Sequence, residues 1–469
     1  MSFRLAEMCS QRLGYLVPTS RQIVALAAPI AGVQYAQVAL TTTDLAVMGL
    51  IGVQAIAAGG LAAALYDMMR TTCVGAVTAV GNLVATAAGQ GEARSENDEP
   101  DAQARAEIRQ ITRSGLLVAT AVAVLLGAAL IGLGYLLPLV RADEKTLALA
   151  RPMMITIAPG LIPMVWLNVL RQFAVGMRRP GSLLAVSVVS IAVNAALDLA
   201  FVRGYVGLPR IGLAGIGLAT TLVQFMTVAV FYLVLRRDNH LAPLLAIDAW
   251  NADAATARRI LRLGIPISLT YGSEAGFISL GAVVMGIFGP ITLAAHNVVF
   301  QLTRIAFQVS IGLSHASSIL TSRAIGKGDT KRLRQIAAAA LLLGVLTTVL
   351  VGLSYLAAPY WVLRPFLDPD AESATVSLAR TFLLFAIAFQ ILEFTQNISI
   401  GLLRGIGNSA AGLRASTIGY WLIGLSVMLV LAFPAHLRGS GIWIGLCVGI
   451  GGTAAVLLHK FYRSLPRTA

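Results

Sequence analysis

Residues 22–46 read QIVALAAPIAGVQYAQVALTTTDLA, with Asp44 as the one charged side chain. An α-helix rises ~1.5 Å per residue, so about 20 apolar residues cross the ~30 Å core of a bilayer. The stretch reads as a membrane-spanning helix that Pro29 kinks. The same reading recurs along the chain. Apolar runs bounded by charge, Pro or Gly lie near 22–46, 54–89, 113–138, 147–176, 182–203, 212–235, 261–288, 291–325, 335–358, 378–403, 412–433 and 440–461. The second and eighth exceed the bilayer thickness and must tilt or protrude. Continuous apolar runs exclude an outer-membrane barrel.

Composition agrees. Of 469 residues, 57% are hydrophobic and 12% charged. A soluble domain averages roughly 45–50% apolar and about 25% charged. Half the usual charge cannot coat a soluble surface, which excludes a disordered chain, a cytosolic enzyme and a secreted domain. The fold class expected is an all-α polytopic membrane protein with 12 transmembrane helices.

Net charge is +14. In a soluble protein this would suggest nucleic acid, but here the basic residues sit in short loops and set orientation. With the N-terminus inside, 24 of the 35 Lys and Arg fall in inner segments and 8 in outer ones. The outer set is Arg141, Lys145, Arg151, Arg203, Arg210, Arg364, Arg380 and Arg438, while Arg70, Arg171 and Arg304 lie within spans. This bias predicts both termini in the cytoplasm. Cys9, Cys73 and Cys447 are too dispersed for a metal or disulfide framework. The first 22 residues have no apolar core of a signal peptide.

The chain also repeats itself. A shift of 237 positions carries Pro29 onto Pro266, Met48 onto Met285, Gly75 onto Gly312, and Gly89-Gln90-Gly91-Glu92 onto Gly326-Lys327-Gly328-Asp329. At smaller offsets Gly176 falls near Gly407, and Gly215-Ile216-Gly217-Leu218 falls on Gly441-Ile442-Trp443-Ile444. Six spans therefore repeat as six, in parallel, a plan that places a central site at the repeat interface of transporters. The expected organisation is a cytoplasmic segment 1–21, an N-lobe 22–236, a cytoplasmic linker 237–259, a C-lobe 260–463 and a cytoplasmic tail 464–469.

A charge at the bilayer centre costs roughly 2.5–3.5 kcal/mol on insertion scales, so each needs a reason. Asp44 shares a helix face with Gln37 and Thr41, and Asn194 lies one turn from Asp198. In the second half, Glu274 follows Thr270 by one turn, with Phe277 nearly one turn on, and Glu393 lies on a stripe with Gln390 and Asn397. These carboxylates suit a coupling cation: burial favours a carboxyl that carries a proton, and clustered oxygens suit Na⁺. The competing reading is a structural carboxyl hydrogen-bonded between helices. Asp67 is three residues from Arg70, and the 237 shift carries it onto Arg304, so a local and an interlobe pair are both open. Arg171 and Arg404 lie near inner helix ends and are expected to snorkel. His296 and His315 read as packing residues rather than metal ligands, and the mixed charges of 94–113 as a solvated loop and helix start. No GxxxxGK[ST], HExxH or GxSxG element appears, so neither ATP drive nor these hydrolase chemistries are expected.

The segments Leu26-Ala-Ala-Pro-Ile to Thr43-Asp44-Leu-Ala-Val-Met-Gly, Asn194-Ala-Ala-Leu-Asp198 with Gly212-Leu-Ala-Gly-Ile-Gly-Leu-Ala-Thr220, Gly264-Ile-Pro-Ile with Glu274, Ala294-Ala-His-Asn-Val, Gly326-Lys-Gly-Asp329, and Glu393 with Leu403-Arg-Gly-Ile-Gly-Asn408 share an order and spacing. In these the chain resembles the multidrug and toxic compound extrusion (MATE) family, in its NorM-like branch, from about residue 20 to 460. The resemblance implies two pseudo-symmetric six-helix lobes in a V, and an antiporter without cofactor that exports amphipathic cations against H⁺ or Na⁺. It implies an N-lobe cation site of Asp44, Asn194 and Asp198, and C-lobe acidic positions at Glu274 and Glu393. Position 393 is Glu where Asp is more usual in that branch, which leaves the coupling ion open, and Arg304 is unusual and would turn preference away from strongly cationic compounds.

The function expected is therefore secondary efflux of small molecules from a bacterial inner membrane, by a monomer, with no nucleic-acid partner and no enzymatic activity. Tyr35, Gln37, Thr41, Met48, Thr270, Phe277, Met285, Gln390 and Asn397 are candidates to line the substrate cavity, against plain helix packing for the apolar ones. The alternatives are a lipid-intermediate flippase with a related two-lobe plan, an integral-membrane lipid enzyme, and a channel.

Overall fold

The computed structural model describes residues 2–96, 99–136, 144–180, 183–207, 209–366 and 373–465. Arg141, Arg467 and most of the 464–469 tail lie outside them. The chain is almost wholly helical. Its first half runs α1 (Ser2–Ile51), α2 (Val53–Arg94), α3 (Ala102–Leu136), α4 (Glu144–Ile157), α5 (Leu161–Gly176), α6 (Leu183–Arg203) and α7 (Leu213–Arg237). A 3₁₀ turn, Ala158–Gly160, joins α4 and α5 into one span, and at its Pro159 no N–H is available for the helix.

The second half runs α8 (Ala254–Ile287), α9 (Pro290–Lys327), α10 (Thr330–Ala357), the short α11 (Pro359–Leu363), α12 (Ser373–Gly405), α13 (Ser409–Ser416), α14 (Leu425–Ala432) and α15 (Arg438–Ser464). A π-helical stretch, Thr417–Gly424, joins α13 to α14 in one span. There are thus 12 transmembrane segments in two pseudo-symmetric sets of six. Among the described residues, eleven are long and apolar enough to cross a bilayer by composition. The twelfth is α9. Its Ser310, Ser314, Ser317, Ser318, Thr321 and Ser322 are buried, not turned to lipid. Ser314 Oγ donates to the Asn397 carbonyl (2.6 Å) and Ser322 Oγ to the Gly405 carbonyl (2.9 Å), both on α12. Small residues allow this close approach, and hydroxyls strengthen it.

The chain forms two compact units, 32–268 and 1–31 with 269–469. The crossing points fall just after Pro29 and Pro266, the two prolines in register inside α1 and α8. In the 32–268 unit the first half of α8 seats on α2. A Cβ at Gly264 would lie 2.0 Å from the Ala76 carbonyl oxygen, and one at Gly75 2.6 Å from Ser268 Cα. Ser268 Oγ also donates to the Thr72 carbonyl (2.7 Å). In the other unit the first half of α1 seats on α9 in the same way, where a Cβ at Gly312 would lie 2.7 Å from the Ala27 carbonyl oxygen. Gly75 and Gly312 are 237 positions apart, as are Ala27 and Gly264. The repeat therefore extends to packing.

Backbone turns keep the same register. Gly52 (φ 140°) and Gly289 (φ 100°), again 237 apart, precede α2 and α9. After α5, Arg179 N–H reaches the Ala174 carbonyl (2.9 Å), and after α12, Asn408 N–H reaches the Leu403 carbonyl (2.9 Å). Both are 6→1 bonds of a left-handed helix cap. The left-handed residue is Arg178 (φ 62°) in one half and Gly407 (φ 81°) in the other, so the register here is 229 and Gly176 matches Gly405. The halves differ at Gly89–Glu92 and Gly326–Asp329. α9 ends at the left-handed Gly328 (φ 72°), whereas α2 runs on to Arg94.

The segment between α7 and α8 is held by ion pairs. Arg113 Nε meets Asp248 Oδ1 at 2.7 Å, Arg179 meets Asp238 at 3.1 Å, and Arg109 Nε donates to the Pro243 carbonyl (2.8 Å). In the 94–113 stretch, Asp101 pairs with Arg94 (2.7 Å) and accepts the Ala104 N–H (2.8 Å), an N-cap. Hydrogen bonds from Arg113 and Asn251 hold the Asp248 carboxyl down at about 2, below its ordinary 3.8. A carboxyl lowered by folding adds stability above its unfolded value and loses it as pH falls toward the folded one. A spin label at Ile247 should therefore gain mobility between about pH 4 and pH 2 in the wild type, whereas in Asp248→Asn it should be mobile at neutral pH and insensitive to this range.

Candidate functional site

α1 approaches Asp44 through three consecutive threonines. Thr41 Oγ1 donates to the Val38 carbonyl (2.9 Å), Thr42 to the same carbonyl (2.8 Å) and Thr43 to the Ala39 carbonyl (2.9 Å). Such back-bonding satisfies the hydroxyls locally and loosens the helix. One residue on, Asp44 is 9% exposed, and Asn194 and Asp198 on α6 are fully buried. Asn194 Nδ2 donates to Asp44 Oδ1 (2.6 Å) and to Asp198 Oδ2 (2.8 Å). The Asp44 carboxyl also has Thr220 of α7 and the Asp198 carboxyl within hydrogen-bond reach. The two acids, 154 positions apart, thus share one amide.

What is left over decides the chemistry. Asn194 Oδ1 and Asp198 Oδ1 are buried, with no hydrogen-bond partner among the described residues. A buried acceptor without a donor costs about 1–3 kcal/mol, more when charged. Two carboxyls and an amide oxygen, bonded through one NH₂, make an oxygen-only set that a proton or a hard monovalent cation would satisfy. Among the described residues no group of three or more His, Cys, Asp or Glu is placed to hold a metal ion.

The second unit has its own buried acids. Glu274 of α8 and Glu393 of α12 are buried and close enough to repel electrostatically. Among the described residues Glu274 Oε1 and Glu393 Oε2 have no hydrogen-bond partner, and the Tyr420 hydroxyl has Ser416 and Gln396 within hydrogen-bond reach. Tyr420 belongs to the π-helical stretch and stacks on Phe277 (5.1 Å between centroids). π-Helical turns commonly accompany functional sites, and this one carries Tyr420 to the acids. Gln396, Ser416 and Tyr420 escaped the sequence reading. Ser416 and Tyr420 come from a span without acids, and Gln396 adjoins the stripe of Gln390, Glu393 and Asn397 without being on it.

The remaining candidates divide. Tyr35 and Thr41 are exposed and Gln37 is half-buried. Met48 is buried, its sulfur where a Cβ on Gly59 would sit, and Met285 is packed by Gly439 in the same manner. Phe277 and Thr270 are buried as well. Gln390 Nε2 donates to Tyr355 OH (3.1 Å) and Asn397 Nδ2 to the Glu393 carbonyl (3.4 Å). His296 sits between Phe300 (5.5 Å) and Trp443 (5.4 Å) as a packing residue. Asp67 pairs with Arg70 at 2.7 Å, the local alternative, and Arg304 is exposed. The expectation that Arg404 snorkels is overturned: it is 3% exposed and bonded to Ser318 and Tyr271.

The MatE family's sequence model matches residues 29–200 and 266–430, two stretches that begin at Pro29 and Pro266. The chain belongs to the MatE family. It is 35% identical over 444 residues to the probable multidrug resistance protein NorM of Pseudomonas aeruginosa, covering 94% of this chain and 88% of the relative. It is 34% identical over 441 residues to the protein of the same description from Bradyrhizobium diazoefficiens, covering 93% and 91%. Among solved folds, the eukaryotic MATE transporter AtDTX14 superposes with a TM-score of 0.80 over 95% of this chain and 96% of its own, at 19% identity. A MATE structure in complex with MaD3S superposes at 0.82 over the same shares, at 18% identity. The MatE fold is thus common to chains with little sequence in common.

Proposed function

We propose that this protein is a secondary antiporter that exports amphipathic, cationic drugs or metabolites in exchange for H⁺ or Na⁺. One observation carries the reading: the buried Asp44–Asn194–Asp198 set, whose Asn194 Oδ1 and Asp198 Oδ1 lack any donor. Buried acids within membrane spans mark ion pathways by default. The relatives' description as multidrug resistance proteins supports the substrate class. Two carboxyls this close resist being charged together, so binding a cation removes repulsion that its release restores. A ligand shifts a two-state equilibrium only by its differential affinity for the states. The Asp44 set supplies such a difference if α1 and α6 separate in one state and meet in the other. Charge movement adds about 2.3 kcal/mol per 100 mV. The excess of Lys and Arg in alternate loops supports a bacterial inner membrane with both termini cytoplasmic. Substrate then enters from the cytoplasm or inner leaflet, and catalysis has no part in the cycle.

Proteoliposomes loaded with a fluorescent organic cation test the proposal. A pH gradient or a Na⁺ gradient, imposed separately, should drive its movement under one of the two and not in Asp44→Asn. Folded protein that moves nothing under either gradient would overturn antiport and favour a lipid substrate, and current without substrate would favour a channel.

A further inference from the structure

We propose that the inner face of α12 at Arg404 binds a small inorganic anion, chloride being the probe. The observation is a buried cation without a counter-charge. Arg404 is 3% exposed, and among the described residues no carboxylate lies within ion-pair distance of it. Its Nε donates to Ser318 Oγ (3.2 Å) and its Nη1 to Tyr271 OH (3.1 Å), while its Nη2 has no acceptor. The buried Thr321 hydroxyl, on the α9 turn after Ser318, has no partner either. Tyr271, having accepted from Arg404, keeps its own proton to donate. Nη2, Thr321 and Tyr271 therefore form a set of donors around a positive charge. Burying an unpaired charge is costly, and an anion is the chemistry that offsets it.

The repeat supplies an internal control. In the register of 229 for α5 with α12 and 237 for α2 with α9, Arg404, Ser318 and Thr321 correspond to Val175, Gly81 and Val84. The helices meet equally closely in both halves. A Cβ on Gly405 would lie 2.7 Å from the Ser318 carbonyl oxygen, and one on Gly176 2.8 Å from the Gly81 carbonyl oxygen. In the first half the three corresponding residues are apolar, with Val84 and Val175 buried. Packing at this position thus has an apolar solution, and the polar set in the second half calls for a ligand. Arg404 also lies in the last turn of α12, where the helix dipole favours a cation. That effect stabilises the charge but gives Nη2 no acceptor.

The test uses the full chain in detergent, with chloride exchanged for gluconate at constant sodium. A ligand that binds only the folded state stabilises it by RT ln(1 + [L]/Kd), so the unfolding midpoint climbs with the logarithm of ligand concentration above Kd. Chloride at about 100 times its Kd should raise the wild-type midpoint by ~2–4 °C. Thr321→Val should raise the chloride Kd fitted from the midpoint series by roughly threefold or more, and the triple variant Arg404→Val, Ser318→Gly, Thr321→Val, which takes the first half's own residues, should lose the response. Crystals grown in bromide should show an anomalous peak beside Arg404. No chloride response in the wild type, an equal response in the triple variant, or bromide absent from Arg404 would each overturn the site and leave Arg404 as the helix-end cation of α12. If the triple variant fails to fold, Thr321→Val and the bromide peak decide.

Discussion

Asp198→Asn should abolish cation-driven efflux, and Asn194→Ala should shift the half-saturating concentration of the driving cation by roughly 10–100-fold. The magnitudes follow from the bonds each removes. Asn194 ties both carboxyls through one NH₂, at 2.6 and 2.8 Å. A hydrogen bond to a charged group contributes about 1.5–3 kcal/mol, and 1.4 kcal/mol is a tenfold change in affinity. Loss of the amide changes both acids at once and also removes its free oxygen, the third member of the set. Asp198→Asn goes further, because an amide neither carries a transferable proton nor presents a charge to Na⁺. The measurement is gradient-driven uptake in proteoliposomes across a series of pH or Na⁺ concentrations, with far-ultraviolet circular dichroism to confirm folding. Wild-type coupling in Asp198→Asn would remove this pair from the mechanism. A half-saturation unchanged in Asn194→Ala would reduce the amide to a packing role.

Gly264→Val should be among the most damaging single substitutions in the protein, with Gly60→Ala as its harmless control. At Gly264 a Cβ meets backbone, at 2.0 Å from the Ala76 oxygen and 2.7 Å from its carbonyl carbon. A carbonyl in the middle of α2 cannot rotate away as a side-chain tip could, so the helices must separate. Overpacking costs typically about 1–3 kcal/mol, and occasionally more, even where side chains can yield. Here separation also strips the neighbouring Ser268–Thr72 hydrogen bond (2.7 Å). At Gly60, also on α2, nothing lies within 4 Å of an added Cβ, so Gly60→Ala should stay within about 1 kcal/mol of wild type. Thermal unfolding in one detergent compares the two. Equal midpoints would mean that the first half of α8 does not seat on α2 as described.

The two predictions rest on different kinds of legibility. Asp44, Asn194 and Asp198 could be picked out in the sequence because a polar residue in an apolar run is conspicuous, and because positions three or four apart share a helix face. That Asn194 bonds Asp44 across 150 positions could not be, since no local pattern records which helix faces which. Met48, Phe277 and Met285 show the same limit: an apolar side chain reads alike whether it lines a cavity or fills a core, and only the fold shows that all three are buried. Arg404 shows it most plainly. Its place near a helix end suggested snorkelling, but Ser318 and Tyr271, from α9 and α8, hold it inside.

By itself the sequence determined that the chain is a twelve-span helical membrane protein built of two repeats of six spans each. Apolar run length and glycine and proline register are properties of the chain read in order, and the bilayer accepts few other solutions. Only the tertiary structure decided that the first halves of α1 and α8 change units just after Pro29 and Pro266, that α9, the most polar span, is polar because it packs on α12, and that two acids share one amide. Each of these depends on close contact between residues far apart in sequence. In a membrane, such contact is selected by shape and hydrogen bonding rather than by hydrophobicity, so it leaves little trace in the pattern of apolar residues.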